Sequence, residues 1–177
     1  MSPKISLTRG LIVAAVVLAV DQATKWWIVF KVMQPPTVIP VTPFFNIVIG
    51  WNRGVSFGMF NSDSGLNEWI LPLVALVIVA VLAVWLIRAE KPVIALALGS
   101  VIGGALGNVI DRFHYGAVAD FLDLYIAGYH WPAFNFADTG ISIGAVILVV
   151  DSLFGGDDKN KLKESGTANT QGPNDQK

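Results

Sequence analysis

Polar and ionisable side chains stand inside or beside the long apolar stretches of this chain, where a charged group is costly and is a functional candidate by default. They are Asp21, Lys25, Asn108, Asp111, Arg112, Asp120, Asn135 and Asp138. Two carboxyl groups that share one proton can act as a general acid and a general base around one water molecule. One carboxylate takes a proton from the water as it attacks an amide carbonyl, and the protonated partner donates to the carbonyl oxygen. Paired aspartates would therefore support hydrolysis of a peptide bond.

Other hydrolytic mechanisms have less support in the sequence. The chain has no cysteine, which removes thiolate metal sites and cysteine nucleophiles. It has no H-E-x-x-H motif, and its two histidines, His114 and His130, are isolated from each other. A serine nucleophile in a G-x-S-x-G motif is also absent. We therefore expect neither a metal nor a cofactor.

Composition indicates that lipid is the solvent of the elements that carry these residues. The 177 residues are 54% hydrophobic and only 14% charged, whereas a soluble domain usually has about 25% charged residues. The net charge of −1 gives no reason to expect nucleic-acid binding. Four stretches approach the roughly 20 residues that a helix needs to cross a bilayer. They run over about Leu11–Phe30, Trp69–Ile87, Pro92–Ile110 and Phe136–Phe154.

The positive residues predict how these four spans are oriented. With four spans, the regions before span one, between spans two and three, and after span four lie on one side of the membrane. They contain Lys4, Arg9, Arg88, Lys91, Lys159, Lys161 and Lys163. We therefore expect both termini in the cytoplasm. Residues 1–155 would form a single integral-membrane domain, followed by a polar, disordered cytoplasmic tail over 156–177.

Two segments would then face the opposite side of the membrane. The larger, 31–68, contains a predicted strand over Phe44–Ile49 and a short amphipathic piece over Val55–Phe60 that could lie on the membrane. The smaller, about 112–135, is interpreted as a loop that carries Asp120. The predicted fold is thus an all-α membrane protein with four transmembrane helices, a small extramembrane β-sheet and a short amphipathic helix between helices 1 and 2.

Glycines spaced four residues apart predict which spans touch. Gly99, Gly103 and Gly107 form one stripe in span three, and Gly140 and Gly144 form another in span four. Such stripes let helix backbones approach closely in lipid. We expect spans three and four to touch, which would bring Asp138 near the segment that carries Asp120.

Several of these residues also have a purely structural interpretation. Asp21 and Lys25 are four residues apart on one helix and can neutralise each other. Asn135 followed by Asp138 resembles a helix N-cap with an acidic third residue, and spacing alone favours that interpretation of Asp138. A further aspartate, Asp123, is expected only in a solvated loop.

The remaining polar residues also have structural interpretations. Asp111 and Arg112 point to different faces and would each hold a loop or another helix in place. The two histidines, His114 and His130, are expected to be interfacial or hydrogen-bonded rather than metal ligands.

Five sequence blocks together resemble one family, the lipoprotein signal peptidases, also called signal peptidase II. The blocks are Asp21–Lys25, Asn52–Gly58, Gly103–Arg112, Gly116–Phe121 and Phe134–Asp138. Each block alone is weak evidence, but all five occur in family order in a four-span chain, and the resemblance extends to about Phe154. The departures are Val55-Ser56, where members often carry alanines, and a longer polar tail.

The resemblance implies an aspartic endopeptidase in which Asp120 and Asp138 are the catalytic pair. It implies that Asp21 and Lys25 contribute to stability. The positions that would line or support the site are Asn52, Gly54, Asn108, Asp111, Arg112 and Asn135. The substrates would be diacylglyceryl-modified prolipoproteins, cut just before the lipid-modified cysteine, and globomycin-type antibiotics would inhibit the reaction.

The resemblance also places the protein in the bacterial cytoplasmic (inner) membrane, as a monomer in contact with membrane lipids, with its active site near the outer, periplasmic face. Two other classes of function remain compatible with intramembrane acids and glycine stripes. They are a small proton-coupled transporter or channel and a non-enzymatic membrane assembly factor. Spans two, three and four are nearly free of charge at their centres, which disfavours the transporter.

Overall fold

A computed structural model describes residues 3–54 and 66–154 of the chain. The amphipathic piece predicted over 55–60 and the polar tail predicted over 156–177 lie outside the described residues. Within them, four long helices and a small sheet account for most of the chain.

The four helices confirm the predicted spans. They are α1 (Pro3–Trp27), α2 (Leu66–Arg88), α3 (Pro92–Tyr115) and α4 (Phe136–Phe154), and α1 continues through a π-helical turn over Ile28–Val32. All four are long and apolar enough to cross a membrane. Helix α3 begins with a proline, which needs no hydrogen-bond acceptor there, and ends at Gly116, whose φ of 70° suits a left-handed cap.

Helix α3 is the centre of the bundle, with 61% of its span buried against 11% for α2. Two glycines of its stripe pack against α1, a contact that the sequence analysis did not predict. A Cβ at Gly99 would meet the backbone of Gly10, and one at Gly103 would meet the backbone of Ala14. The reason is geometric: α3 has a second face of small residues, which is rotated about the helix axis from the first.

That second face of α3 packs against α4. A Cβ at Gly104 would meet the carbonyl of Ala137, and Gly144 lies against the carbonyl of Ala97. Ser100 also donates to the carbonyl oxygen of Gly140 at 2.8 Å. The predicted contact between spans three and four is therefore confirmed, and glycines of both helices belong to it.

One end of the bundle gathers the start of α1, the turn between α2 and α3, and the end of α4. The Ser6 hydroxyl donates to the carbonyl oxygen of Glu90 at 3.2 Å, and Lys91 pairs with Asp151 at 2.9 Å. This arrangement agrees with the predicted grouping of the positive regions. The opposite end carries the sheet.

The sheet is antiparallel with strand order β1-β2-β3-β4. The strands are β1 (Ile39–Thr42), β2 (Phe45–Asn52), β3 (Val118–Ile126) and β4 (Tyr129–His130). Strand β2 confirms the strand predicted over 44–49. The loop predicted over 112–135 is wrong in large part, since α3 continues to Tyr115 and two strands follow.

Candidate active site

Asp138 lies in the first turn of α4, where the helix begins immediately after Asn135. The backbone N–H of Asp138 donates to Asn135 Oδ1 at 2.9 Å, and the backbone N–H of Asn135 donates to Asp138 Oδ2 at 3.3 Å. This reciprocal pair is a capping box. The capping interpretation of these two residues is therefore confirmed, and it leaves the other carboxylate oxygen, Asp138 Oδ1, for other partners.

Asp120 is the third residue of β3, not part of a loop, and is only 4% exposed. Asn52 Nδ2 donates to its Oδ2 at 3.1 Å, and Asn135 Nδ2 donates to its Oδ1 at 2.7 Å. Burial, together with the nearby charge of Asp138, raises the pKa of Asp120 to about 7, although these two hydrogen bonds act to lower it. Asp120 is thus a carboxyl group that can hold a proton near neutral pH.

Backbone pairing places Asn135 beside Asp120. The backbone N–H groups of Phe121 and Leu122 both donate to the carbonyl oxygen of Phe134, at 3.0 and 2.8 Å, and Phe134 donates back to Leu122 at 3.1 Å. The chain entering α4 is therefore fixed to β3 directly next to Asp120. As a result, Asn135 caps α4 and binds the Asp120 carboxyl at the same time.

Two carboxamides connect the two carboxyl groups. Asn108, on α3, donates from Nδ2 to Asp138 Oδ1 at 2.8 Å. Its Oδ1 accepts from Asn135 Nδ2 at 3.4 Å, and Asn135 in turn donates to Asp120. Both oxygens of Asp138 thus accept hydrogen bonds from N–H donors, as do both oxygens of Asp120.

A buried ion cluster lies behind Asn108. The Lys25 ammonium is 2.8 Å from Asp21 Oδ2 and 2.9 Å from Asp111 Oδ2, and all three side chains are at most 2% exposed. Asp21 Oδ1 accepts from the backbone N–H of Ala137 at 2.9 Å, and Asp111 Oδ2 accepts from that of Ala119 at 3.2 Å. The cluster therefore ties α1 and α3 to the residues that directly precede Asp138 and Asp120.

Arg112 and Gly54 close one side of the site. Arg112 donates to the carbonyl oxygen of Gly54 at 3.1 Å and to that of Asn108 at 3.2 Å. The Gly54 backbone N–H donates to Asn52 Oδ1 at 3.1 Å, which orients the amide that reaches Asp120. Within residues 3–54 and 66–154, Arg112 Nε is buried without a hydrogen-bond partner. The prediction that Asp111 and Arg112 hold other elements in place is thus confirmed.

An open cleft of about 600 Å³ has both carboxyl groups in its wall. Its polar end is formed by Asn52, Asp120 and Asp138, and its remaining wall by β3, the segment 131–134 and one face of α4. The apolar lining residues include Leu124, Trp131, Phe134, Ile141 and Ile143. A peptide bond could reach the carboxyls while an apolar group lay along α4.

Asp123 corrects our prediction of a solvated loop residue. It lies in β3, is only 6% exposed, and accepts from Asn46 Nδ2 at 2.8 Å and from His130 Nδ1 at 2.9 Å. Burial acts to raise the pKa of Asp123, but these two hydrogen bonds and the charge of His130 outweigh it, so that the pKa is lowered. Asp123 therefore holds the sheet together. It is not part of the cleft wall.

His130 is hydrogen-bonded, as expected, and His114 makes a ring contact. His130 pairs with Asp123 and stacks on Tyr125, and His114 packs edge-on against Tyr115. In the part of the chain that the structure describes, no three His, Asp or Glu side chains form a metal-binding group.

The structure brings together all the residues that the sequence analysis assigned to the site or to its support, and it adds one that was missed. Gln22 Nε2 donates to Asp111 Oδ1 at 2.9 Å and to the carbonyl oxygen of Gly107 at 3.2 Å. It therefore links α1 to α3 beside the ion cluster. The sequence could have indicated Gln22, because it lies between Asp21 and Lys25 in one of the blocks that resemble the family.

Comparisons with known proteins agree on one family. The sequence profile of Signal peptidase (SPase) II matches residues 13–154. A lipoprotein signal peptidase from Methylorubrum extorquens (strain PA1) is 47% identical over 147 residues, which is 81% of this chain and 85% of that protein. One from Ralstonia nicotianae is 44% identical over 138 residues, which is 77% of this chain and 79% of that protein.

Two solved structures have the same fold. Both are described as bacterial membrane enzymes determined by the in meso method, at 2.3 Å and 1.9 Å resolution. The first has a TM-score of 0.72 and 27% identity, and the match covers 94% of each chain. The second has a TM-score of 0.71 and 30% identity over 82% of this chain and 92% of that one. With the profile match and the curated relatives, these likenesses establish that the chain is a multi-pass membrane protease of the signal peptidase II family.

Proposed function

We propose that this protein is an intramembrane aspartic endopeptidase that removes signal peptides from diacylglyceryl-modified prolipoproteins. It cleaves the amide bond on the N-terminal side of the lipid-modified cysteine. The observation that carries the proposal is the joining of Asp120 and Asp138 through Asn135 and Asn108, with both carboxyls in the wall of one cleft. The names of the curated relatives support the substrate class.

The surroundings of the two carboxyls favour different roles for them. Asp138 lies in the first turn of α4, where the helix dipole stabilises negative charge. It is the general base that takes a proton from water. Asp120, whose pKa is about 7, is the general acid that donates to the carbonyl oxygen. As the C–N bond breaks, the protonated base transfers its proton to the departing amine, and Asp120 takes a proton back from a hydroxyl group of the tetrahedral intermediate.

The position of the cleft suits a lipid-anchored substrate. Both carboxyls lie where α3 and α4 meet the sheet, at the extramembrane end of two spans. A diacylglyceryl group on the substrate would hold the scissile bond at this depth, with its acyl chains against the apolar face of α4. Binding energy from the lipid would thereby position one amide next to one water.

The remaining site residues have supporting roles in this proposal. Asn52, Gly54, Asn108, Asp111, Arg112 and Asn135 line the cleft or fix its walls. Asp21 and Lys25 hold the helices together. The protein acts as a monomer and is inhibited by globomycin-type antibiotics.

The excess of Lys and Arg at one end of the bundle supports an orientation with both termini in the cytoplasm. The cleft then faces the periplasmic side of the inner membrane. The polar segment over 156–177 would be a cytoplasmic tail.

The test uses the full chain, purified in detergent, with a diacylglyceryl-modified prolipoprotein as substrate. We expect Asp120→Asn and Asp138→Asn each to lower kcat by roughly 10²- to 10⁴-fold, because each removes a proton-transfer group. Asp123→Asn is the matched control, since Asp123 is on the same strand as Asp120 but outside the cleft wall. It should retain turnover.

Two further arms test the catalytic type and the substrate. Cleavage should persist in EDTA, and the same prolipoprotein without its diacylglyceryl group should be a poor substrate. Full turnover by D120N or D138N would refute the dyad. Equal cleavage of the unmodified substrate would refute the role of the lipid.

A further inference from the structure

Lys25 contacts more than the two carboxylates that neutralise it. Its ammonium also donates to Asn108 Oδ1 at 3.0 Å, in addition to Asp21 and Asp111. An ammonium has three donors and no acceptor. It therefore requires an oxygen at each of these positions, and it fixes which end of the Asn108 carboxamide faces it.

The orientation of the Asn108 amide determines whether its NH2 group or its carbonyl oxygen faces Asp138. With the carbonyl oxygen of Asn108 turned to Lys25, its NH2 group points to Asp138 Oδ1 at 2.8 Å. The reversed amide would place its NH2 against the ammonium and against Asn135 Nδ2, and its carbonyl oxygen against a carboxylate. All of these contacts are repulsive, so Lys25 holds one orientation in place.

On this basis, and resting on the proposed function, we propose that Lys25 is a positioning residue for Asp138 and acts through Asn108. The ammonium forces an N–H donor toward Asp138, and this donor holds the carboxylate in the wall of the cleft. Asp21 has a different part: it holds the start of α4 through the backbone N–H of Ala137. The ion cluster is therefore not only a stabilising device.

Neither Lys25 nor Asn108 is in the wall of the cleft, whereas Asp138 is. Loss of Lys25 should therefore leave substrate binding intact and misplace the base. A misplaced catalytic group costs on the order of 10²-fold in rate. A lower kcat at an unchanged KM is the expected signature.

K25M is made in an Asp21→Asn background, because K25M alone would leave two buried carboxylates, Asp21 and Asp111, without a cation and could unfold the protein. Asp21→Asn retains an oxygen for Ala137 and leaves Lys25 paired with Asp111. It should lower the melting temperature and retain most of kcat. Adding Lys25→Met removes one positive charge, so that D21N/K25M has the same net cluster charge as the wild type. It should lower kcat roughly tenfold to hundredfold relative to D21N, without a change in KM.

A double-mutant cycle tests the route through Asn108. In a D21N background that also carries Asn108→Ala, adding K25M should cost no further kcat, because its intermediary is gone. Asn52→Ala is the matched control: Asn52 binds Asp120 and not Lys25, and in this background K25M should have its full effect. If D21N/K25M yields no folded protein, the same comparison is made between Asp111→Asn and D111N/K25M.

Two outcomes would overturn the proposal about Lys25, and a third would overturn the catalytic pair. A folded K25M variant with the kcat of its background would overturn the proposal, and so would additive effects of K25M and N108A. Cleavage that survives D120N or D138N would instead remove the dyad itself, which the Lys25 comparisons cannot do.

Discussion

Asn135 and Asp138 exchange hydrogen bonds at the start of α4: each backbone N–H donates to the other residue's side-chain oxygen, at 2.9 and 3.3 Å. This capping box uses Asn135 Oδ1 and Asp138 Oδ2. The atoms that remain, Asn135 Nδ2 and Asp138 Oδ1, face Asp120 and Asn108. One local motif thus begins a helix and joins two carboxyl groups.

The two functions of Asn135 should be separable. Asn135→Ala removes the cap and the donor to Asp120, and it should cost about 1 kcal/mol of stability together with most of the turnover. Asn135→Ser restores an oxygen that can cap the helix but not the amide that reaches Asp120. We expect its melting temperature to recover while its kcat stays as low as that of the alanine variant. Recovery of kcat in N135S would contradict a role for the amide.

The pH dependence of cleavage should report the proton on Asp120. Because the pKa of Asp120 is about 7, kcat/KM should fall as the pH rises through about 7 and the general acid ionises. The hydrogen bond from Asn52 lowers this pKa, so Asn52→Ala should raise it further. The alkaline limb of the kcat/KM profile should therefore move to higher pH in N52A. A limb that stays in place or moves to lower pH would refute the assignment.

Stability should depend on pH through the same group. The pKa of Asp120 is about 7 in the folded protein and near 3.8 when the chain is unfolded. At pH values between these two, the folded state therefore binds one proton more than the unfolded state. The free energy of unfolding should therefore decrease as pH rises from about 4 to 7. Asp120→Asn removes this titration. The melting temperature of D120N should exceed that of the wild type above pH 7, and the difference should shrink toward pH 4. A constant difference across this range would contradict a raised pKa.

The sequence predicts the spans well because each is a long apolar run, and length decides whether a helix can cross a bilayer. It predicts β3 poorly, because Asp120 and Asp123 interrupt a stretch that otherwise has strand-forming residues. Their polarity indicates a solvated loop. In the folded protein both are buried, since Asn46, Asn52, Asn135 and His130 supply hydrogen bonds from elsewhere in the chain.

The candidate site was only partly predictable for the same reason. The polar residues near the ends of the spans indicate the depth at which they gather, but not which atoms meet. Lys25 and Asp21 are four residues apart and can pair with each other, so the sequence gives no reason to expect their contacts with the distant residues Asn108 and Ala137. Those contacts depend on how closely α1 approaches α3 and α4.

The close approach of α1 and α3 at Gly99 should be essential for stability. A Cβ at this position would meet the backbone of Gly10, with its carbonyl carbon 2.9 Å away. Backbone on two packed helices cannot move aside as a flexible side chain can, so Gly99→Ala should cost roughly 1–3 kcal/mol. Gly50→Ala is the control, because the nearest atom to its Cβ would be the Asp120 carbonyl oxygen at 3.6 Å, an ordinary contact. Thermal unfolding in detergent should show a lower melting temperature for G99A than for G50A; equal values would mean that the helices separate without cost.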